Sequence, residues 1–322
     1  MKVLYIGKYP PIQGGTSSSA YWRFKGLKEY GIQSIVVTCI PSDNPYQCSM
    51  EHFEDVHILS QPIPWHIPYS QIFSEQLVEK SLKIVSDKHI DVIEGCYLFP
   101  YCFAAFIVSL LSNKPLVIRH AGSDLFRVTK DCNFDNLLIR MASHASVVVT
   151  NVDSLDRWRE LGISTSKLHI SKRYYPNPNE FVSLSKDNTV VFLGKITPKW
   201  NREQLDFWHQ KLVENNFQGK VISYSDNNTR EILYKYFKQK NIEIDCMPFV
   251  EPQCVPQILS HSEFLFVSSL PDNIPERSNL LLEGIACGCK IISMDAIPNI
   301  TVSNNGYKKY LSDQLSIYES ID

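Results

Sequence analysis

The sequence lacks any apolar run of the roughly 18 residues that a membrane-spanning helix requires. Residues 1–7 are too few for the apolar core of a signal peptide, and they have the pattern of a β-strand. We therefore expect a cytoplasmic protein without a membrane span. The sequence leaves open a peripheral association with the inner face of a membrane.

An excess of positive charge is also absent. The chain has 32 lysines and arginines against 34 aspartates and glutamates, a formal net charge of −2. General nucleic-acid and polyanion binders need clustered cations to neutralise phosphates, so this balance argues against that class. With 322 residues, 44% of them hydrophobic, the chain can fill two domain cores of ordinary size.

Paired cysteine motifs are missing. The nine cysteines are odd in number, scattered and without CxxC spacing, and the spacing of Cys287 and Cys289 does not suit a zinc knuckle. Cys39, Cys96 and Cys102 lie in apolar runs. We expect reduced thiols that serve as small core residues, and no metal site.

The familiar glycine-rich phosphate loops are absent as well. The loop at 10–19 is neither G-x-G-x-x-G nor a Walker motif with its lysine, so a plain NAD site is poorly supported. Gly14 and Gly15 can still let the backbone approach a ligand closely, with Thr16 or Ser17 capping the next helix. An ordinary tight turn with a conventional cap is the alternative.

Along the chain, short apolar strands alternate with amphipathic helices, which predicts an α/β fold with parallel sheets. The predicted strands are 3–6, 34–40, 91–94, 116–119, 146–150, 189–193, 220–223, 242–247, 264–267 and 290–293. The predicted helices are 20–30, 74–88, 100–111, 134–142, 154–161, 202–215, 230–240, 254–260 and one that begins at Ser278 or Asn279. Residues 41–67 are expected to be irregular.

The pattern is interrupted once, at 173–181, where two prolines and two asparagines resist regular structure. We predict a linker there between an N-terminal domain, 1–175, and a C-terminal domain, 182–322. Two consecutive α/β domains place the loops after their strands at a shared cleft.

The stretch 271–290 is the most informative part of the sequence. Pro275 blocks helix continuation, Ser278 or Asn279 can cap a new helix, and Gly288 can end it. Apolar strands precede and follow it. Free amides and the positive end of the helix dipole would then face the loop, which favours an anion. Ordinary α/β packing would also produce such a helix.

The residues of this stretch, Pro-Glu-x-x-Asn-x-Leu-Leu-Glu-x-x-Ala-Cys-Gly, resemble the signature of retaining nucleotide-sugar-dependent glycosyltransferases of family 4, which have the GT-B fold of two Rossmann-like domains. The resemblance implies that Glu283 binds the donor ribose. It implies a place for Glu276 on the donor sugar only if the loop shifts by one residue, because the two glutamates are one residue closer than in the family. Ser278, Asn279 and Leu280 would then supply the helix end that holds the donor diphosphate.

A second segment, Arg-His-Ala-Gly-Ser-Asp-Leu-Phe-Arg, follows a predicted strand and resembles the family's His-Gly-Ser/Thr-Asp segment with Ala121 inserted. On that match, His120 and Asp124 would lie beside the transferred sugar and the acceptor. A structural histidine is the alternative. Arg119 and Arg127 could bind a charged acceptor or pair with Asp124.

A third resemblance concerns cations after the strand at 189–193. Where the family has a Gly-Arg…Lys-Gly pair, this chain has Lys195 and Lys199, and Arg202 could share their role. These groups and the amides near Ser278 would hold the diphosphate as it leaves, with Lys195 acting in catalysis. Solvated surface lysines are the alternative.

The resemblance as a whole implies a hexosyltransferase that moves a sugar from a nucleotide-diphosphate donor to the hydroxyl of a carbohydrate or lipid-linked acceptor, with retention, in polysaccharide or glycoconjugate synthesis. Gly14 and Gly15 would contact the donor diphosphate or the acceptor. The sequence has no Asp-x-Asp, so no metal or other cofactor is expected beside the nucleotide sugar. A non-catalytic sugar-nucleotide-binding relative and a GT-B sugar-nucleotide epimerase are the alternatives.

Overall fold

The computed structural model describes residues 1–40, 55–60, 71–130, 132–196, 202–268, 278–295, 297 and 299–321. Within these residues the chain builds two fully parallel sheets flanked by helices, which confirms the predicted α/β class. The chain passes from one sheet to the other through residues 171–186, which contain no helix or strand. The predicted domain boundaries at 175 and 182 fall in this segment and stay a prediction.

The first sheet has seven strands in the order β3-β2-β1-β4-β5-β6-β7. They are β1 (Lys2–Gly7), β2 (Gln33–Ile40), β3 (Val56–Ser60), β4 (Val92–Cys96), β5 (Leu116–Arg119), β6 (Val147–Thr150) and β7 (Leu168–Ile170). The strand order reverses between β1 and β4. In a parallel sheet, such a reversal opens a crevice at the carboxyl ends of the two strands.

Six helices accompany this sheet in the described residues. They are α1 (Gly15–Lys28), α2 (Gln71–Asp87), α3 (Phe103–Ser112), α4 (Ser123–Val128), α5 (Asp135–His144) and α6 (Leu155–Glu160). Because successive strand residues point to opposite faces, Leu4 and Ile6 pack with one buried cluster while Val3 and Tyr5 pack with another. The sheet is therefore covered on both sides.

The second sheet has five strands in the order β10-β9-β8-β11-β12. Its strands are β8 (Asp187–Gly194), β9 (Lys220–Ser225), β10 (Ile244–Met247), β11 (Ser262–Phe266) and β12 (Lys290–Ile292). The helices of this half are α7 (Arg202–Glu214), α8 (Asn227–Gln239), α9 (Val255–His261), α10 (Asn279–Ala286) and α11 (Asn304–Glu319). Here the order reverses between β8 and β11.

Helix α11 follows the second sheet but packs against α1 of the first half. A side chain at Gly26 of α1 would come within 2.5 Å of the Tyr307 hydroxyl and 2.8 Å of Leu311, so the two helices pack closely at this glycine. One buried cluster consequently contains residues of both halves, from Tyr5 and Trp22 to Leu281 and Tyr318.

Most predicted elements are present with shifted ends, and α1 shows the largest shift. It begins at Gly15 rather than at 20, so Thr16 and Ser17 lie inside the first turn and the prediction that one of them caps the helix was wrong. The cap position is Gly14, which has φ +129 and makes no side-chain bond. The serines of this segment are weak helix formers, and Ser19 bonds back to the Gly15 carbonyl at 2.7 Å.

Three short elements were not predicted, and neither was the long helix α11. Strand β3 lies in a segment that was expected to be irregular and pairs with β2, β7 pairs with β6, and α4 follows the His120 loop. A wide turn, Leu98–Cys102, in which the Cys102 amide donates to the Tyr97 carbonyl at 3.1 Å, precedes α3, which begins three residues later than predicted. Each of these elements depends on a neighbour that is distant in sequence, so local pattern does not reveal it.

Cys39, Cys96 and Cys102 are buried, which confirms their expected place in the core. Among the described helices, none is long and apolar enough to cross a membrane.

Candidate functional site

A cleft of about 900 Å³ lies where the carboxyl ends of the two sheets face each other. Gly15 and Ser19 of α1 line it from the first half, together with His120 after β5, and Ser278, Asn279 and Leu280 line it from the second half. The sequence analysis had assigned five of these six residues to the site. Ser19 was not predicted, because its segment was taken for a loop.

Helix α10 begins at the cleft as the sequence predicts. Ser278 is its cap, with the Oγ atom accepting a hydrogen bond from the Leu281 amide at 3.2 Å, and Asn279 is the first helical residue. A side chain at Gly284 would come within 2.3 Å of Leu265, so α10 lies directly on β11. This packing aims the start of the helix into the cleft.

Asn279 joins the two halves of the site. Its Nδ2 atom donates to the Gly15 carbonyl at 3.2 Å and to the Ser19 hydroxyl at 2.6 Å. The N-termini of α1 and α10 therefore meet across the cleft. Both carry free amides and the positive end of a helix dipole, so an anion placed between them would be stabilised from two sides.

Glu283, one helical turn further along α10, is 4% exposed. Its carboxyl interacts with the Tyr174 hydroxyl, but among the described residues neither Glu283 Oε1 nor the Tyr174 oxygen makes a hydrogen bond of ordinary geometry. Burial raises the pKa of Glu283 to about 8, and the nearby tyrosine lowers that pKa by a smaller amount. The carboxyl therefore keeps its proton near neutral pH until a partner replaces the missing contacts.

His120 lies at the cleft wall with its side chain buried. The Gly122 amide points at its Nδ1 atom at 3.0 Å, and the indole N–H of Trp158 points at its Nε2 atom at 3.2 Å. The Thr150 hydroxyl lies 2.8 Å from the same Nε2 atom. Burial lowers the pKa of His120, which favours the neutral ring.

Asp124 is buried beneath the same loop and does not line the cleft. Its carboxylate accepts from the Ala121 amide at 2.8 Å and from the Leu98 amide at 2.9 Å. Asp124 thereby ties the His120 loop to the turn after β4. Arg127 donates to the Tyr97 hydroxyl at 3.4 Å.

The predicted cations lie further from the cleft. Lys195 is exposed at the end of β8, with Nζ 5.9 Å from the centre of the Phe249 ring. Arg202 begins α7 with its side chain 76% exposed and its Nε 3.8 Å from Asp206. Neither lines the cleft. Lys199 and Glu276 fall outside the described residues.

A buried ionic network beside the cleft was not predicted. Glu94 of β4 accepts from Arg23 of α1 at 2.6 Å, from Arg119 of β5 at 3.0 Å and from the Tyr318 hydroxyl of α11 at 2.5 Å. Arg119 therefore pairs with Glu94 and not with Asp124, which was one of the two alternatives that the sequence left open. A carboxylate at the end of a predicted buried strand was the available signal, since such a charge requires a cation.

The network keeps Glu94 ionised. Burial alone would raise its pKa, but Arg23 and Arg119 hold the pKa at about 2. The carboxylate therefore stays negative at any ordinary pH and binds α11 to the first sheet through Tyr318.

Among the residues that the structure describes, no three His, Cys, Asp or Glu side chains are arranged to hold a metal ion.

No protein-family model matches the sequence, and no curated protein matches it. Solved structures do match over nearly the whole chain. HepE from Anabaena, solved with UDP and glucose, has a TM-score of 0.56 at 13% identity and covers 100% of this chain and 91% of its own. A UDP-GlcNAc 2-epimerase from Methanocaldococcus jannaschii has a TM-score of 0.57 at 13% identity, with 98% and 92% covered.

Sucrose-phosphate synthase from Thermosynechococcus elongatus is also similar, with a TM-score of 0.54 at 13% identity, 99% of this chain and 90% of its own covered. Identities this low show the fold and leave the reaction open. In this chain, two parallel sheets, each with a reversal of strand order, open on one cleft. The chain therefore has the GT-B fold, in which two Rossmann-like domains face a central cleft.

Proposed function

We propose that the protein is a retaining glycosyltransferase of family 4 type that uses a nucleotide-diphosphate sugar. The observation that carries this proposal is the meeting of the N-termini of α1 and α10 at the cleft, with Asn279 joined to Gly15 and Ser19. A diphosphate carries concentrated negative charge, and two opposed helix ends supply the amides and dipoles that such charge requires.

In this proposal the donor lies along α10. Its diphosphate takes the amides near Ser278 and Gly15, and its ribose reaches Glu283, whose buried oxygen lacks a hydrogen bond. Glu276 holds the donor sugar. Lys195, Lys199 and Arg202 approach the diphosphate when the donor binds. Because the buried Glu283 is protonated near neutral pH, it can donate a hydrogen bond as well as accept one.

The transfer breaks the bond between the sugar's anomeric carbon and the diphosphate oxygen, which leaves with the electron pair. The acceptor hydroxyl oxygen bonds to the same face of that carbon, and its proton passes to the departing diphosphate. Fixed amides and cations stabilise the charge that develops on the leaving oxygen, so no metal is required. His120 lies at the wall beside the sugar, and Asp124 holds the His120 loop in place from beneath.

Sugar-nucleotide epimerisation is the second candidate. UDP-GlcNAc 2-epimerases are among the similar structures, with coverage as complete as that of HepE. An epimerase changes the donor sugar without any acceptor, whereas a transferase needs an acceptor to form its product. The two reactions therefore leave different products from the same donor.

The first experiment is a thermal-shift screen against UDP, GDP, ADP and their hexose conjugates. A ligand at about 100 times its dissociation constant adds roughly 2.7 kcal/mol to stability. The nucleotide sugar that binds is then incubated with its sugar labelled, with and without carbohydrate and lipid-linked acceptors. Transfer to an acceptor supports the proposal, conversion to a new nucleotide sugar without acceptor supports epimerisation, and binding without either product indicates a non-catalytic protein.

Lys195→Ala tests the cation role within that assay. We expect turnover to fall by about 10²–10³ while nucleotide affinity changes much less, because the charge matters most as the donor bond breaks. Lys220→Ala, at the opposite end of the same sheet and paired with Asp245, is the control. EDTA is expected to leave the wild-type rate unchanged. A rate that collapses with EDTA and returns with Mg²⁺ or Mn²⁺ would contradict metal-free transfer.

A further inference from the structure

The inner end of the cleft, where β5 ends opposite α11, contains polar atoms that the protein leaves unsatisfied. Arg119 and Gln314 both line the cleft there. Arg119 Nη2 and Gln314 Oε1 are buried, and neither has a hydrogen-bond partner among the described residues. Buried polar atoms normally have partners, so these two require an explanation.

The charges at this end do not balance. Arg23 and Arg119 are both positive, and the ionised Glu94 that binds them supplies a single negative charge. The Tyr318 hydroxyl adds a hydrogen bond to Glu94 but no charge. The two arginines and Glu94 together therefore keep one net positive charge. The Arg119 side chain, which carries part of it, is only 15% exposed.

The two carboxylates nearby are already engaged. Asp153 lies 3.9 Å from Arg173, and Asp313 accepts from the Lys172 amide at 2.9 Å. Each of these carboxylates therefore has a partner other than Arg119. The guanidinium plane is instead held by its Nε bond to Glu94, which presents the rest of the group at the cleft wall. A planar cation held in this way is suited to a carboxylate or phosphate.

Gln314 supplies the complementary atom. Its Nε2 atom donates to the Ser171 hydroxyl at 2.7 Å and to Asp313 at 3.0 Å, which fixes Oε1 as the unpartnered acceptor. Tyr310 and Tyr318, four residues before and after, flank Gln314 on one face of α11, and Tyr318 contacts Arg23 and Glu94. Gln314 therefore lies on the face of α11 that meets the ionic network.

We propose that this inner end binds an acidic sugar, with its carboxylate or phosphate on Arg119 and a hydroxyl donating to Gln314. The inference rests on the proposed function and deepens it, because it states the chemical class of one substrate. Two substrates could supply this group, namely the acceptor saccharide and the sugar of the nucleotide donor. The ligand chemistry is the same in both cases.

Isothermal titration calorimetry with two pairs of ligands tests the proposal. The first pair compares glucuronate and glucose 6-phosphate with glucose, and the second compares UDP-glucuronate with UDP-glucose. We expect the acidic member of at least one pair to bind about 10–100-fold more tightly than the neutral member. A preference in the first pair identifies the acceptor as the source, and one in the second pair identifies the donor.

Arg119→Gln is expected to abolish this preference. Arg119→Lys is expected to reduce it while keeping a positive charge beside the buried Glu94 carboxylate, so that this variant still folds. Arg159→Gln removes an exposed arginine of α6 that pairs with Asp156, and it should leave the preference unchanged. Equal affinities for acidic and neutral ligands in both pairs would overturn the proposal, as would a preference that survives in both Arg119 variants. Failure of every nucleotide sugar to bind, with an Arg119-dependent preference for glucuronate, would instead overturn the proposed function alone.

Discussion

Glu283 places its carboxyl in the packing between α10 and Tyr174, where the protein supplies no full hydrogen bond. Burial disfavours the charged form, so the folded protein retains the proton up to a pH of about 8, whereas the unfolded chain releases it near the ordinary value of 4.5. Between these two pH values the folded state binds more protons than the unfolded state. The free energy of unfolding therefore falls as pH rises through this window.

Glu283→Gln, which cannot ionise, should escape this loss. We expect its free energy of unfolding, relative to wild type, to increase by about 1–3 kcal/mol between pH 5 and pH 8.5. Urea unfolding at the two pH values measures the change. Glu231→Gln is the control, because Lys235 lowers the pKa of Glu231 and its loss should give no such gain. A pH-independent difference would mean that Glu283 is not buried as a neutral acid.

The same variant tests the ribose contact. If Glu283 binds the donor ribose, Glu283→Gln should weaken nucleotide binding by about 1–3 kcal/mol, the range for a buried polar group left unpaired. Calorimetry with the nucleotide found in the screen measures it at pH 7. An unchanged affinity in a folded variant would remove Glu283 from the donor site.

At the scale of elements, the site depends on how closely two helices approach their neighbours. Helix α10 lies on β11 at a distance set by Gly284, and its first residue reaches across to α1. The predicted spacing of strand, loop and helix is sufficient to place α10 in sequence. Its contact with α1 brings two helix N-termini together, and that contact makes the cleft suitable for an anion.

Asn279→Ala should loosen this contact. Losing the bonds to Gly15 and Ser19 is expected to cost about 1–2 kcal/mol of unfolding free energy. A double-mutant cycle with Ser19→Ala measures the coupling, which should be non-additive because the two side chains share one bond. Asn215→Ala, which removes an amide that follows α7 and donates to the Lys211 carbonyl, is the control. Additive effects would mean that the bridge contributes nothing.

Gly284→Ala should disturb the packing of α10 on β11. The added methyl would meet Leu265 at 2.3 Å, and we expect a loss of about 1–3 kcal/mol from overpacking. Gly15→Ala is the matched control, because the nearest atom to its methyl, Asn279 Nδ2, is at an ordinary 3.6 Å. Chemical denaturation measures the free energy of unfolding of both variants. Equal values for Gly284→Ala and Gly15→Ala would contradict the close packing of α10 on β11.

At the scale of the whole molecule, α11 connects the second half of the protein to the first. It follows the second sheet, packs against α1, and sends Tyr318 into the ionic network of the first sheet. The buried pair of Arg23 and Glu94 is costly to desolvate, so each hydrogen bond that completes it matters. The last helix is therefore part of the core that unites the two halves.

Tyr318→Phe should weaken the attachment of α11 to the first sheet. The hydroxyl accepts from Arg23 at 2.6 Å and donates to Glu94, and its loss leaves buried charged groups short of a partner. We expect the free energy of unfolding to fall by about 1–3 kcal/mol. Tyr30→Phe, at an exposed tyrosine after α1, should have little effect and serves as the control. A wild-type stability for Tyr318→Phe would show that the network does not depend on α11.

The sequence by itself determined the elements whose cause is local. Alternating apolar residues and glycine or proline breaks were enough to predict the strands of both sheets except β3 and β7, and a cap with its apolar face was enough to predict α10. The parallel α/β class followed from the order of those elements. The resemblance to family 4 glycosyltransferases, together with the convergence of loops after parallel strands, predicted Ser278, Asn279, Leu280, Gly15 and His120 at the cleft, and all five line it.

Only the tertiary structure decided the rest. The bridge from Asn279 to α1, the burial of Glu283 against Tyr174, and the network that joins Arg23, Glu94, Arg119 and Tyr318 link residues far apart in the chain. Local pattern reports the periodicity of one segment and carries no information on which distant segment it meets. The ionisation of a buried group depends on those distant neighbours, since burial and partner charges set its pKa. The charge state of the site is for that reason a property of the folded molecule.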